Sequence, residues 1–184
     1  MSKSDNTHHH IHNQDASSSS QIPRQSSSNP SSSSELSSLK QTLRSSLRQY
    51  PNFPSPGVLF EDILPIFIDP SLHEDLLRSL ELHILQDAHH GEKPDVIVGL
   101  EARGFLFGPS LALRLGASFV PARKKGKLPG QCITQGFDKE YGQDYFQMQA
   151  GSIKPGQKVF IVDDIIATGM ILLSLIVFYQ LTSF

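Results

Sequence analysis

A chain of 184 residues is long enough to bury the hydrophobic core of one domain. Its formal net charge of -2 gives no global attraction to nucleic acid, which argues against general polyanion binding. The single cysteine, Cys132, excludes an internal disulfide, and the first residues lack the apolar stretch of a secretory signal. We therefore expect a cytoplasmic protein, with the nucleus as a second location.

The first 33 residues differ in composition from the rest of the chain. They contain runs of serine with prolines and amides, and almost no large apolar side chains. Such a segment cannot bury enough surface to offset the entropy lost on ordering, so we predict a disordered tail over 1–33. Its histidine cluster around His8 could bind a metal ion adventitiously, but the simpler interpretation is that these histidines are polar residues of a disordered tail without a specific role.

Two amphipathic helices are predicted next. Leucines recur every three or four residues from Leu36 to Leu47, which indicates a helix that begins near Ser34. A proline-rich stretch then prevents any helix from continuing. A second helix is predicted to begin at Ser71, with Glu74 completing a capping box.

Three short apolar segments, rich in β-branched residues, predict buried strands at 95–100, 118–121 and 158–163. A helix is predicted at 109–115, between the first two strands. Strands that alternate with helices predict a parallel sheet in an α/β domain, here 34–169. Ligands of such sheets bind at the carboxyl ends of the strands. Polar clusters follow the three strands, at 101–104, 123–130 and 163–169.

The end of the third strand carries the strongest chemical signal. Asp163 and Asp164 follow four apolar residues, and adjacent carboxylates can accept hydrogen bonds from a vicinal diol or hold a divalent ion. Ala167, Thr168 and Gly169 then offer a tight turn whose backbone N–H groups can bind a phosphate. The alternative for the two aspartates alone is a strand that ends in a solvated acidic turn.

The other two clusters contain arginine or lysine side chains. Arg103 can form a two-pronged, charge-assisted contact with an anionic ligand, and Gly104 would let the backbone approach that ligand closely. Arg123, Lys124 and Lys127, together with a further lysine, place four positive charges within five residues. Such a run is usually a solvated surface or a weak nucleic-acid patch. Here it follows a predicted strand end, and the glycines within and after it favour a polyphosphate partner.

Taken together, these segments resemble the adenine phosphoribosyltransferases, a branch of the type I phosphoribosyltransferases, from about residue 39 to 169. The motif formed by Asp-Asp at 163–164 and Ala-Thr-Gly at 167–169 resembles the family's signature for binding phosphoribosyl pyrophosphate. Further segments match in order and spacing, at 50–65, 99–109, 123–130 and 140–142. Glu61 and the Asp-Ile-Ile sequence at 164–166 resemble the corresponding residues of fungal members. The resemblance implies a mainly parallel twisted sheet flanked by helices, with a mobile hood loop in 131–150.

The resemblance also implies the reaction and the residues that serve it. Adenine and phosphoribosyl pyrophosphate would give AMP and pyrophosphate in purine salvage, with Mg²⁺ as cofactor and a homodimer as the assembly. Glu140, Tyr141 and Arg103 would be catalytic, and Asp163 and Asp164 would hold the metal indirectly, through substrate or water. Substrate-binding roles are implied for Leu59, Phe60, Glu101, Ala102, Arg123, Lys124, Lys127, Asp163, Asp164, Ala167, Thr168 and Gly169. The Glu101–Ala102 peptide bond is expected to be cis. The side chains of Arg103, Lys127, Asp163 and Asp164 are expected to converge on one polar cleft.

The C-terminal residues 170–184 depart from the family. Met170 and Ile171 stand where the family has glycine and a small hydroxyl residue. From the resemblance, we expect the closing strand usual in the family to be missing. We therefore expect little or no activity from the chain as written. The alternative functions are a truncated protein that only binds a ligand or partner, and transfer to a different base.

Two further features of the C-terminal third bear on the prediction. Gln147 occupies a position where the family usually has glutamate. The 20 residues after Asp164 carry no charge and are long enough to span a bilayer. Interspersed polar residues and the lack of flanking basic residues disfavour membrane insertion.

Overall fold

The structure is a computed structural model that describes residues 31–87, 93–139 and 142–164. Four helices and seven strands lie in these ranges: α1 (Ser32–Ser46), β1 (Arg48–Pro51), β2 (Leu59–Asp62), α2 (Leu64–Ile68), α3 (Pro70–Asp87), β3 (Val96–Leu100), α4 (Gly104–Leu115), β4 (Ser118–Lys124), β5 (Cys132–Lys139), β6 (Gly142–Gln149) and β7 (Val159–Val162). The predicted α/β class is confirmed. Most of the predicted tail and the whole of 170–184 lie outside the described residues.

A five-stranded sheet with the order β5-β6-β4-β3-β7 forms the centre of the fold. Strand β3 lies between β4 and β7 and runs parallel to both, so that Val98 lies opposite Val120 on one side and Ile161 on the other. The pairs β4–β6 and β5–β6 are antiparallel. The sheet is therefore mixed, whereas the sequence led us to expect a mainly parallel one. A separate antiparallel hairpin joins β1 to β2.

Both faces of β3 are covered, which explains its uninterrupted apolar sequence. One face packs with buried residues of β4 and β6 in a cluster that includes Phe146 and Met148. The other face packs against α3 and α4, where Ile97 meets Leu111 and Ile84. This double cover fixes the direction of β3, and so determines where the polar turn that follows it must lie.

The segment expected to be a hood loop is a hairpin. Strands β5 and β6 pair from Cys132 opposite Gln149 to Lys139 opposite Gly142. The sequence of this segment gives few strong core signals, yet Phe146 and Met148 are buried at 6% and 4% exposure. They alternate with more exposed neighbours, which is the period of a strand with one face on a core.

The helix starts differ from those predicted. The Asp69 side chain accepts hydrogen bonds from the backbone N–H groups of Ser71 and Leu72, at 2.8 and 3.4 Å. The expected capping box at Ser71 is therefore wrong, because the helix begins one residue earlier, at a proline suited to the first helical position. Helix α4 begins at Gly104 rather than at Pro109. None of the described helices combines the length and the apolar character needed to cross a membrane.

Candidate active site

The carboxyl ends of β3 and β7 form the core of the candidate site. Because the two strands are parallel neighbours, the residues that follow them meet at one edge of the sheet. Arg103, after β3, places its Nη1 atom 2.8 Å from Asp164 Oδ2, after β7. The Asp164 side chain is 4% exposed and that of Arg103 is 42% exposed. A buried carboxylate is thus paired with an arginine whose outer side is open to a ligand.

The two aspartates differ in their electrostatic state. Asp164 Oδ2 accepts no hydrogen bond from the described residues, so its contact with Arg103 is ionic in character. Burial raises the pKa of Asp163 to about 6. The hydrogen bond that its Oδ1 accepts from the Asp164 backbone N–H acts in the opposite direction and lowers this pKa. The negative charge of Asp164 raises the pKa of Asp163 further. Asp163 therefore favours the approach of a cation or a hydroxyl donor, which would relieve the cost of its charge.

These carboxylates suit a magnesium ion only in part. The described residues contain no cluster of three or more histidine, cysteine, aspartate or glutamate side chains that could enclose a metal. Mg²⁺ commonly keeps several waters and binds through one or two carboxylates plus substrate phosphates. Asp163 and Asp164 fit that mode of binding, and they do not form an all-protein cage.

A second polar cluster joins the turn after β3 to the basic loop, which we define as residues 123–130. Glu101 accepts a hydrogen bond from Arg123 Nη2 at 2.8 Å and another from the Lys124 backbone N–H at 3.2 Å. The hydrogen bond from Arg123 holds the pKa of Glu101 below its usual value. Arg123 also donates to the Lys127 carbonyl, at 3.0 Å. Both Glu101 carboxylate oxygens are thus engaged in holding the start of the basic loop.

The turn between the two clusters contains the cis peptide bond that the resemblance led us to expect, between Glu101 and Ala102. Of the side chains expected to share one cleft, Arg103 and the two aspartates lie together. Lys127 belongs to the neighbouring cluster, because its carbonyl accepts the hydrogen bond from Arg123. Its approach to the aspartates stays a prediction.

An apolar cleft of about 710 Å³ adjoins Arg103. The rings of Phe53 and Phe60 meet edge to face, with centroids 5.1 Å apart, and the Arg103 guanidinium lies 5.9 Å from the centre of the Phe60 ring. Two aromatic rings and a planar cation suit a flat heteroaromatic ligand. The whole lining is Tyr50, Phe53, Pro54, Phe60, Asp62, Leu64 and Arg103.

Comparison with known proteins decides the family. Residues 71–177 match the phosphoribosyl transferase domain family. A relative from Yarrowia lipolytica named adenine phosphoribosyltransferase is 58% identical over 134 residues, which is 73% of each chain. Adenine phosphoribosyltransferase 1 of Saccharomyces cerevisiae is 57% identical over 134 residues, 73% of this chain and 71% of that protein. The chain belongs to the adenine phosphoribosyltransferase family.

Solved structures of this family share the fold. The Saccharomyces cerevisiae adenine phosphoribosyltransferase, complexed with adenine and D-2,5-dideoxy-2,5-imino-altritol 1,6-bisphosphate, aligns with a TM-score of 0.75 and 51% identity. The alignment covers 80% of this chain and 83% of the yeast chain. The Giardia lamblia enzyme complexed with 9-deazaadenine aligns with a TM-score of 0.67 and 31% identity, over 77% of this chain and 76% of that one. The predicted similarity to fungal members is confirmed by the yeast relatives.

The position of Gly104 in this member of the adenine phosphoribosyltransferase family has a different physical reason from the predicted one. A Cβ atom there would lie 2.5 Å from the Val162 carbonyl oxygen and 3.3 Å from the Gly99 backbone. Gly104 therefore allows α4 to pack against the ends of β3 and β7. Its absent side chain serves this packing inside the domain, and the backbone approach to a diphosphate is not needed to explain it.

The sequence did not indicate part of the aromatic cleft, and some of the predicted site residues lie outside the described part of the chain. Tyr50, Phe53 and Asp62 line the cleft together with the predicted Phe60. Leu59 and the strand around Val120, which the sequence also suggested for the base, do not belong to this lining. The available signal was the group of aromatic residues on either side of the proline-rich turn. Five predicted residues lie outside the described part of the chain, namely Glu140, Tyr141, Ala167, Thr168 and Gly169.

Proposed function

We propose that this chain transfers the phosphoribosyl group of phosphoribosyl pyrophosphate to adenine, forming AMP and releasing pyrophosphate. The position of Arg103 is the main support. This side chain lies over the Phe60 ring of the apolar cleft and also contacts Asp164 at the end of β7. A base in the cleft would therefore adjoin a ribose held at the aspartates, as the joining of the two requires.

Each part of the site would have a separate role. The cleft would hold the adenine ring beside Phe60, with the Leu59 and Phe60 backbone reading its edge. Asp163 and Asp164 would accept hydrogen bonds from the two ribose hydroxyls. The 5′-phosphate would bind the backbone of 167–169, and the diphosphate would meet Arg103 and the basic loop residues Arg123, Lys124 and Lys127, next to the turn at Glu101 and Ala102.

The reaction needs little covalent chemistry from the protein. The bond between ribose C1 and the pyrophosphate oxygen breaks with its electron pair leaving on pyrophosphate, and adenine N9 forms a bond to C1 and loses its proton. Glu140 would accept the proton that the adenine ring loses, and Tyr141 would help to exclude water. Arg103 would stabilise the negative charge that develops on the leaving group. Catalysis would consist of positioning and electrostatics.

Mg²⁺ is the proposed cofactor, and Asp163 and Asp164 would hold it through water or substrate oxygens. When bound, it would neutralise part of the charge of the departing pyrophosphate. We further propose a homodimer and a cytoplasmic location, with the nucleus as a second one. Equilibrium sedimentation tests the assembly, and a mass equal to one chain at all concentrations would contradict the dimer.

Stepwise calorimetric titration tests the proposed function. Phosphoribosyl pyrophosphate with Mg²⁺ should bind the free chain, and 9-deazaadenine should then bind the same molecules with a one-to-one ratio. Because the two sites adjoin, neither ligand should displace the other. If phosphoribosyl pyrophosphate and 9-deazaadenine compete, or if phosphoribosyl pyrophosphate does not bind, the assignment of the two sites is wrong.

A further inference from the structure

Gln147 of β6 connects three segments at the edge of the candidate site. Its backbone lies opposite Arg123 of β4 and Thr134 of β5. Its side-chain Oε1 atom accepts a hydrogen bond from the Gly126 backbone N–H at 2.8 Å, and its Nε2 atom donates to Thr134 Oγ1 at 2.9 Å. One half-buried amide therefore holds the basic loop against the hairpin.

The basic loop is fixed through its backbone. Gly126 has a φ of +83°, in the left-handed region, so the loop turns sharply there. Three successive N–H groups donate to oxygen atoms of β6 or of the loop itself: Lys125 to the Tyr145 carbonyl at 3.0 Å, Gly126 to Gln147 and Lys127 to the Lys124 carbonyl at 3.2 Å. These N–H groups are consequently occupied, and the loop would offer an anion its side-chain cations rather than a nest of backbone amides.

The lysine side chains of the loop are exposed, whereas its backbone is held by hydrogen bonds to β6 and within the loop. Lys124, Lys125 and Lys127 are all exposed to solvent. Lys125 Nζ lies 5.2 Å from the centre of the Tyr145 ring, so a second residue of β6 steadies the same loop. An anion that meets a loop already held in one conformation avoids the entropy cost of ordering it.

We propose that Gln147 is a positioning residue that holds the basic loop for the diphosphate, and that its neutrality strengthens the binding of that anion. The inference rests on the proposed function. A backbone N–H can only donate, so any residue at this position must present an acceptor to Gly126. Glutamate would do so and could also accept from the Thr134 hydroxyl, but it would place a negative charge beneath the basic loop. The amide gives the same support without that charge.

Two substitutions separate support from charge. Gln147→Glu keeps both hydrogen bonds and adds a charge, whereas Gln147→Leu keeps the volume and removes both hydrogen bonds. Gln157→Glu is the charge-matched control, because Gln157 accepts from the Lys154 backbone N–H at 2.7 Å just before β7, at the opposite end of that strand from the aspartates. Thermal unfolding of each variant establishes that the comparison is between folded proteins.

Calorimetry with Mg²⁺-pyrophosphate is the direct readout. Gln147→Glu should raise the dissociation constant roughly threefold to tenfold at low salt, and the difference should shrink as salt screens the added charge. Gln147→Leu should raise it by about tenfold at all salt concentrations, because the loss of a hydrogen bond and of a fixed loop is not screened. Gln157→Glu should change it by less than about twofold, because that charge lies far from the loop.

The kinetics then distinguish positioning from general damage. In AMP formation, Gln147→Leu should raise KM for phosphoribosyl pyrophosphate while KM for adenine stays within about twofold, because Gln147 does not line the aromatic cleft. A Gln147→Glu variant that binds pyrophosphate as the unmodified chain does would overturn the inference. If the unmodified chain binds pyrophosphate with this ranking of variants, but neither it nor a Met170→Gly, Ile171→Thr variant makes AMP, the inference stands and the proposed function fails. If it does not bind pyrophosphate, both fail.

Discussion

The substitution Gly104→Ala tests how the packing of α4 supports the site. The added Cβ would lie 2.5 Å from the Val162 carbonyl oxygen. This oxygen belongs to the backbone of β7, so it cannot rotate away as a side-chain atom could. Ordinary contact needs about 3.5 Å, so the start of α4 must move about 1 Å away from β7. Overpacking of this kind costs about 1–3 kcal/mol of unfolding free energy.

The expected effect on activity is larger than the effect on stability. Arg103 is the residue that precedes α4, and Asp163 directly follows Val162, so the shift opens the pair between Arg103 and the aspartates. A misplacement of about 1 Å at a reacting site can cost about 10²-fold in rate. We therefore expect kcat/KM for AMP formation to fall by about two orders of magnitude.

Gly108→Ala is the matched control on the same helix. Its Cβ would meet the Phe119 ring at 2.7 Å and a Val162 methyl at 3.3 Å, both of them side-chain atoms that can shift. Urea denaturation and steady-state kinetics should show destabilisation in both variants, but a large loss of kcat/KM only in Gly104→Ala. Equal losses of activity in the two, or an unaffected Gly104→Ala, would refute the reasoning.

Three further variants have distinct expected outcomes. Burial raises the Asp163 pKa to about 6 in the folded chain, so the native protein loses stability as pH rises from about 4 to 6. Asp163→Asn, which does not titrate, should therefore gain stability over the unmodified chain in urea at about pH 7.5 and lose that gain at about pH 4. Phe60→Ala should raise KM for adenine roughly tenfold by removing the aromatic face, and an unchanged KM would exclude the cleft as the base site. Met170→Gly combined with Ile171→Thr should raise the rate of AMP formation by about 10², the usual effect of one preorganised donor, and no gain would show that the predicted loss at this turn is wrong.

The parts of the fold that follow local sequence patterns could be predicted. The apolar run of β3 and the paired aspartates after β7 indicated parallel strands, and the rule for their carboxyl ends brought Arg103 near Asp164. The hairpin of β5 and β6 could not be recognised as readily, because its glycines and polar residues mask an alternation carried mainly by Phe146 and Met148.

The aromatic cleft and the role of Gly104 depend on contacts between distant residues. Tyr50 and Phe60 come together because β1 and β2 pair across a turn, a pairing that local propensity did not indicate. Likewise, only the packed positions of α4 and β7 reveal that the Gly104 hydrogen faces the Val162 carbonyl. The sequence indicated which residue types the chemistry needs, and the packing explains why their neighbours must be small or aromatic.

Formation of AMP from labelled adenine is the most direct test of the proposed function. With phosphoribosyl pyrophosphate and Mg²⁺, the full chain should convert adenine to AMP above the rate of a protein-free control, though slowly, and it should leave hypoxanthine and guanine unchanged. The reaction should depend on Mg²⁺ and should release one pyrophosphate for each AMP. If the folded chain and its Met170→Gly, Ile171→Thr variant both fail to make AMP, or if another purine reacts as well as adenine, the assignment is contradicted.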